Sequence, residues 1–501
     1  VANETTKGGA PGRRRARIAV AALVAVAAAG AYLANRFLVQ VPVVHADPAE
    51  HYKYGSIGGD VENGLPLEIM RILPEAFPEH LPAGAPRDYT AFGFVQEPGQ
   101  PMPIGFSVRR HQVPRTGLNC SGCHVGTWRA SEDEAPTVYL GAPAVNLVIA
   151  DYFRFLFACA DDPRFTADYL LPLMEANGAA MDALDRQLYA RVVIPTMKRR
   201  LLERRDMFAP LFAADHPEFG PGRVDTFNPY KVNQLAASYV NGIPEPESIG
   251  TVDYPAIWNQ DIRDGIPLNW DGNSPTIHDR NVGAAFGAGA TRESIDMPAI
   301  DRVTEYLRTL EAPAYPWGVS TDEAQLRRGE AVYGERCASC HALGGAEMGK
   351  VVPLAEIGTD PYRVNSYTEE INQFLLDYGE GYDWKLTSMV KTNGYANQPL
   401  DGIWARAPYL HNGSVPTLWD LLTPEASRNG GRPTFYVGHG IYDTVNVGIR
   451  ADVATVGGRP AFEFDVTRPG NSNRGHSGPY YGTDLPDADK RALIEYMKTL
   501  R

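Results

Sequence analysis

Cys120-Ser121-Gly122-Cys123-His124 recurs downstream as Cys337-Ala338-Ser339-Cys340-His341. Two thiols three positions apart reach the two vinyl groups on one edge of a porphyrin. The histidine that follows lies beneath the ring, where its imidazole binds iron. The pattern is therefore the attachment site of a c-type haem. The two copies use four of the five cysteines. A zinc ribbon is the other reading of paired Cys-x-x-Cys, but its halves stand about 15–20 residues apart. Here more than 200 positions separate Cys123 from Cys337. The fifth cysteine, Cys159, sits in Phe155-Leu156-Phe157-Ala158-Cys159 and reads as a small buried apolar residue.

The motif predicts a mainly α fold: two cytochrome c-like haem lobes with long loops and a helical insertion in the first lobe. Its expected divisions are a basic N-terminal segment with a signal peptide or membrane anchor (1–46), a first haem domain (47–311) and a second (312–501). A chain of 501 residues accommodates this. A net charge of −13 argues against nucleic acid as a partner and suits a small basic redox protein.

The N-terminus carries Arg13, Arg14, Arg15 and Arg17, then an apolar run from Ile18 to Leu33, interrupted by Asn35 and Arg36. This is the pattern of an export signal. The expected location is periplasmic, anchored to the inner membrane by residues 18–38, with cleavage as the alternative. Export agrees with the haem motifs, because c-type haem is attached outside the cytoplasm.

The first motif follows an extended approach, Pro103 to Val108, whereas the second follows a helix. Ser320 is the expected cap of that helix, with Glu323 completing a capping box. The run from Ala144 to Phe212 reads as helical, and the basic run 198–205 as its solvated face. Glu305-Tyr306-Leu307-Arg308-Thr309-Leu310 is echoed by Glu495-Tyr496-Met497-Lys498-Thr499-Leu500. Each is read as the closing helix of a haem lobe.

His124 and His341 are the expected proximal ligands. Opposite His341 the first candidate is His411, with Met348, Met389, His439 and His476 as rivals. Opposite His124 the candidates are Met297, His278 and His111, or no protein ligand at all.

Leu400-Asp401-Gly402-Ile403-Trp404 through Thr417-Leu418-Trp419-Asp420 resembles the matching stretch of the dihaem cytochrome c peroxidase and methylamine-utilisation superfamily. Leu410 stands where those peroxidases often carry a methionine ligand, which strengthens His411. More specifically, the chain resembles the rubber oxygenase branch. The shared stretches are Lys53-Tyr54-Gly55-Ser56-Ile57-Gly58, Ile257-Trp258-Asn259-Gln260, Trp270-Asp271-Gly272-Asn273 and Gly283-Ala284-Ala285-Phe286-Gly287-Ala288-Gly289.

The resemblance implies two covalently bound haem c groups, with a structural Ca²⁺ as a further candidate. His341 and His411 would hold an electron-transferring haem, and His124 the reactive one. Phe286 would cover its open face, and Trp270 would lie between the haems. The expected activity is that of a dihaem oxidoreductase activating O₂ or H₂O₂, either a peroxidase or an oxygenase acting on a hydrophobic alkene. A small redox protein would be its electron partner. A membrane-tethered electron carrier with both irons six-coordinate is the alternative.

Overall fold

The computed structural model describes residues 11–501 except Gln40, His111, Gln112 and Asp215. His111, one of the candidate ligands, thus lies outside the described residues. Helices take 42% of the chain and strands 12%, so the fold is mainly α, as the haem motifs predicted.

Helix Pro11–Leu38 continues through Asn35 and Arg36, since neither residue breaks a helix. Its stretch Arg15–Tyr32 is long and apolar enough to cross a membrane and is not buried. A signal peptide and an anchor both fit this helix, and both are compatible with export.

Helix Glu323–Arg336 leads into the second motif. Its cap is Asp322, two residues beyond the expected Ser320; the Asp322 carboxylate accepts from the amides of Ala324 and Gln325 at 2.9 and 3.2 Å. A carboxylate also suits the positive helix end. Ser320 Oγ turns instead to Gln325 Oε1 at 2.6 Å. Helix Asp487–Met497 crosses this helix at Gly329, where a Cβ would stand 2.0 Å from the Ala492 carbonyl oxygen. Arg328 and Asp489 close the crossing with two bonds of 2.7 Å.

The first motif has a different approach. Helix Pro48–Tyr54, capped by Asp47, packs on helix Met297–Thr309 through Tyr52 and Tyr306, whose rings are 5.4 Å apart. The two echoed sequences therefore both form helices that cross a short upstream helix. In the first case the upstream helix is separated from its motif by residues 55–119. That insertion gives three strands to an antiparallel sheet in the order Val41–Pro42, Phe106–Arg110, Arg115–Leu118, Leu65–Pro66. Strand Arg115–Leu118 is the extended run that delivers Cys120.

Between Ile149 and Phe208 a set of helices builds a core with helix Leu67–Ala76, and Cys159 is fully buried in it. The basic run 198–205 is more than a solvated face. Arg200 donates to the Glu62 carbonyl at 3.3 Å and Arg204 to Asn63, pinning the turn after Asp60.

The other apolar cores mix distant parts of the chain. Trp128, Ala142 and Trp258 pack with Trp404, Tyr442 and Leu493. Phe286 and Val303 pack with Tyr367, Trp384 and Met389. Asp401, 6% exposed, joins these regions. Its carboxylate accepts from Arg263, Asn259 and Arg406, and its carbonyl from the Trp258 indole at 3.2 Å.

Candidate functional site

The first Cys-x-x-Cys-His segment is held from three sides. Asn119 Oδ1 accepts from the Ser121 amide at 3.0 Å, and its Nδ2 donates to the Gly55 carbonyl at 3.0 Å. Ser121 Oγ donates to the Lys53 carbonyl at 3.1 Å. Lys53 to Gly58 thus acts through its backbone, gripping the segment that carries the thiols. Gly105, at φ 98°, presses on Gly122, where any Cβ would lie 2.3 Å from the neighbouring Cα.

Cys120 and Cys123 are unpaired, and burial pushes the Cys123 thiol up to about 12. His124 is buried. Its Nδ1 lies 2.9 Å from the Pro255 carbonyl oxygen, which can only accept, so Nδ1 carries the hydrogen and Nε2 is left with its lone pair. Burial, and then the charge of Arg280, lower the imidazole to about 3, which keeps it neutral and fit to bind a metal. Arg280 Nη2 stands 3.5 Å from that Nε2. The aromatic ring beside His124 is Tyr254, at 6.3 Å.

The second segment repeats the proximal arrangement. His341 Nδ1 donates to the Gln398 carbonyl at 2.8 Å, again leaving Nε2 bare. The segment is less enclosed than the first: Ser339 is exposed, Leu343 is 54% exposed, and Cys340 Sγ lies 3.7 Å from the exposed Tyr480 hydroxyl.

The imidazole facing His341 belongs to His476, with ring centroids 6.3 Å apart. Two imidazoles sharing one metal between them need about this separation, at roughly 2 Å per bond. Burial and the neighbouring His341 lower His476 to about 3, and its Nδ1 has no partner among the described residues. Its backbone is in the left-handed region, φ 44°. The buried Arg428 holds that loop by donating to the carbonyls of Asn473, Gly475 and His476.

His411, the expected partner of His341, is placed elsewhere. Its ring stacks on Tyr395 at 4.0 Å, with Nε2 2.8 Å from the Tyr395 hydroxyl. That hydroxyl directs its one proton to the Asp360 carbonyl at 2.7 Å, so it accepts from His411, whose Nε2 then offers no lone pair. Three other candidates, Met389, His439 and His278, make contacts of their own. Met389 Sδ accepts from Ser274 Oγ at 3.2 Å within the cluster of Phe286. His439 Nδ1 accepts from the Ile441 amide at 3.1 Å. His278 is exposed, 3.1 Å from the Trp384 carbonyl.

Trp270 links the two proximal histidines' supports. Its indole donates to the Asp253 carbonyl at 3.2 Å, two residues before Pro255. Its own carbonyl accepts from the Ala396 amide at 2.9 Å, two residues before Gln398. Phe286, 8% exposed, packs edge-on against Tyr378 and Trp384 in a cluster that includes Val125 and reaches Cys120.

Among the described residues, Glu79, His80 and Asp162 are grouped closely enough for a metal. Arg164 already bridges Glu79 and Asp162, so this is an ion-pair cluster.

Paired free thiols followed by a histidine with bare Nε2 are the donor set of covalent haem c. The comparisons agree in kind. Residues 394–436 match the family described as RoxA-like, cytochrome c-like. This stretch contains Gln398, which orients His341. Two relatives come from Sinorhizobium fredii. The uncharacterized protein y4iJ is 26% identical over 88% of this chain and 90% of its own length. The uncharacterized protein y4iM is 31% identical over 51% of this chain and 66% of its own length. The chain thus carries a RoxA-like, cytochrome c-like domain, and with it a haem-based redox role in which haem c is the cofactor.

Proposed function

We propose that both Cys-x-x-Cys-His segments hold haem c and that the protein is an exported dihaem oxidoreductase acting on O₂ or peroxide at the first. The observation that carries this reading is the asymmetry between the histidines. His341 has a second imidazole, His476, with ring centroids 6.3 Å away, whereas among the described residues no second imidazole stands beside His124, whose neighbours are the Arg280 guanidinium and the Tyr254 ring. When bound, haem supplies one-electron chemistry, and on a face without a strong protein ligand it also takes up small molecules.

In this reading His341 and His476 would hold the second haem, which would suit it to electron transfer. His476 replaces the expected His411. Pro255 and Gln398 orient the proximal rings by holding their Nδ1 hydrogens. Trp270 bonds to both supporting strands and so lies on a hydrogen-bonded route between them. Phe286 gives the region around the first segment an apolar wall, which favours an oxygenase acting on a hydrophobic alkene over a peroxidase, since a peroxidase needs a proton-moving group there. The helix Pro11–Leu38 directs export. A small redox protein meets the less enclosed second segment.

The test is the visible spectrum of the reduced, haem-loaded protein with and without carbon monoxide. The reading expects about half of the haem to shift, and expects His124→Ala, not His341→Ala, to abolish that shift. No shift would show both irons closed and turn the protein into an electron carrier.

A further inference from the structure

Helix Pro11–Leu38 carries the apolar stretch Arg15–Tyr32, none of it buried against the rest of the chain. Only residues 39 and 40 separate its end from strand Val41–Pro42. An extended link of that length bridges at most roughly 11 Å. Wherever the helix goes, the strand therefore goes with it. The strand is no loose tether. It pairs antiparallel with Phe106–Arg110, Val41 opposite Arg110 and Pro42 opposite Arg109, and the Val43 amide donates to the Val108 carbonyl at 3.2 Å. A cut after Ala46, where small residues suit a signal peptidase, would strip this strand and bare the edge of the sheet. The other run of small residues, 27–30, lies inside the helix, whereas proteolytic nicking favours exposed loops.

The next strand in the sheet, Arg115–Leu118, sets Arg115 opposite Arg109 and runs on to Cys120. With strands about 4.8 Å apart and about 3.3 Å per residue along each, Cys120 lies roughly 20 Å from Val41. Val39, Val41 and Val44 are 49%, 50% and 56% exposed, so large apolar side chains continue from the helix onto the sheet edge. Arg110, opposite Val41, is exposed too, and a guanidinium pairs well with phosphate.

We propose that the helix is retained as a membrane anchor and that the sheet edge bearing Val39, Val41, Val44 and Arg110 docks on the phospholipid surface. The first Cys-x-x-Cys-His segment is thereby held beside the membrane, and lipid-borne reactants are its nearest supply. This rests on the export reading of helix Pro11–Leu38 and is independent of whether the first iron is open.

The test uses the full chain, made in a bacterium that attaches haem c and recovered from membranes washed with sodium carbonate. Tryptic digestion of the haem-loaded protein should yield the peptide 18–36, which spans the apolar run. Haem closes the four motif thiols and Cys159 is fully buried, so Val44→Cys takes a fluorescent maleimide at one place. In vesicles of phosphatidylcholine and phosphatidylglycerol that label should lose fluorescence when the lipids are brominated near the headgroup. The same label on Leu343→Cys, exposed beside the second segment, should keep its fluorescence. Haem-loaded protein that lacks 18–36 overturns the proposal while export stands. A chain without haem ends the export reading and the proposal together. A retained helix with the Val44 label unquenched, or with both labels quenched alike, overturns the choice of this face.

Discussion

His124 and His341 are supported alike, each through Nδ1 by a main-chain carbonyl at 2.9 and 2.8 Å. They differ in what stands across from Nε2, and in how the chain supplies it. Opposite His341 is His476, on a loop held by Arg428. Beside the Nε2 of His124, at 3.5 Å, is Arg280, on a helix. On the proposed reading, a repeated five-residue motif would set the cofactor, while the residue beside it, far away in sequence, would set the role.

The strongest way to break this comparison is to remove the facing imidazole. In His476→Ala the second iron should open, so the fraction of reduced haem shifted by carbon monoxide rises from about half to nearly all. His411→Ala should leave it at about half. The reverse pattern would restore His411 as the ligand.

The clasp between the two regions comes next. Asp401→Asn leaves Arg263 and Arg406 without their carboxylate and should cost about 3 kcal/mol in denaturant unfolding. Burial alone would raise the Asp401 pKa, but Arg406 and Arg263 outweigh it and hold it below the ordinary carboxylate range. Its stabilisation is therefore full above the unfolded value of about 4 and is lost as pH falls through the lower folded value. The gap between parent and variant should narrow only on that acid side. A gap that is constant down to low pH would mean the pair is not what stabilises the clasp.

Gly329→Ala sharpens the comparison within the second region. A methyl against the Ala492 carbonyl should force the helices apart and cost about 2 kcal/mol. An unchanged unfolding midpoint would mean the crossing is loose. The smallest effect is expected from Trp270→Phe, which keeps a ring but leaves the Asp253 carbonyl without its indole donor, costing about 1 kcal/mol. It should also slow electron exchange between the haems after carbon monoxide photolysis. An unchanged rate would remove Trp270 from the path.

Much of this was legible in the sequence. Spacing alone pointed to the four thiols and the histidine after each pair, and the mainly α character it implied is what the structure has. The echo of residues 305–310 at 495–500 marked two crossing helices. His411 stood out because the stretch around it is distinctive; in the structure it stacks on Tyr395 and accepts the Asp253 amide on its carbonyl. His476 sat between Gly475 and Gly478 with no periodic pattern to weigh it. Only the tertiary grip of Arg428, and a left-handed backbone at His476, aim it at His341. The burial of Arg280 beside His124 was likewise unreadable, since a lone arginine in a helix normally faces solvent.

The distance between His341 and His476 along the chain has a consequence for biogenesis. In the proposed arrangement the two ligands of one iron emerge 135 residues apart during synthesis. The thiols of Cys337 and Cys340 can therefore be loaded while the loop that carries His476 is still unmade. Closure of that coordination sphere marks the moment when the last part of the chain has docked, so its colour is a built-in gauge of maturation.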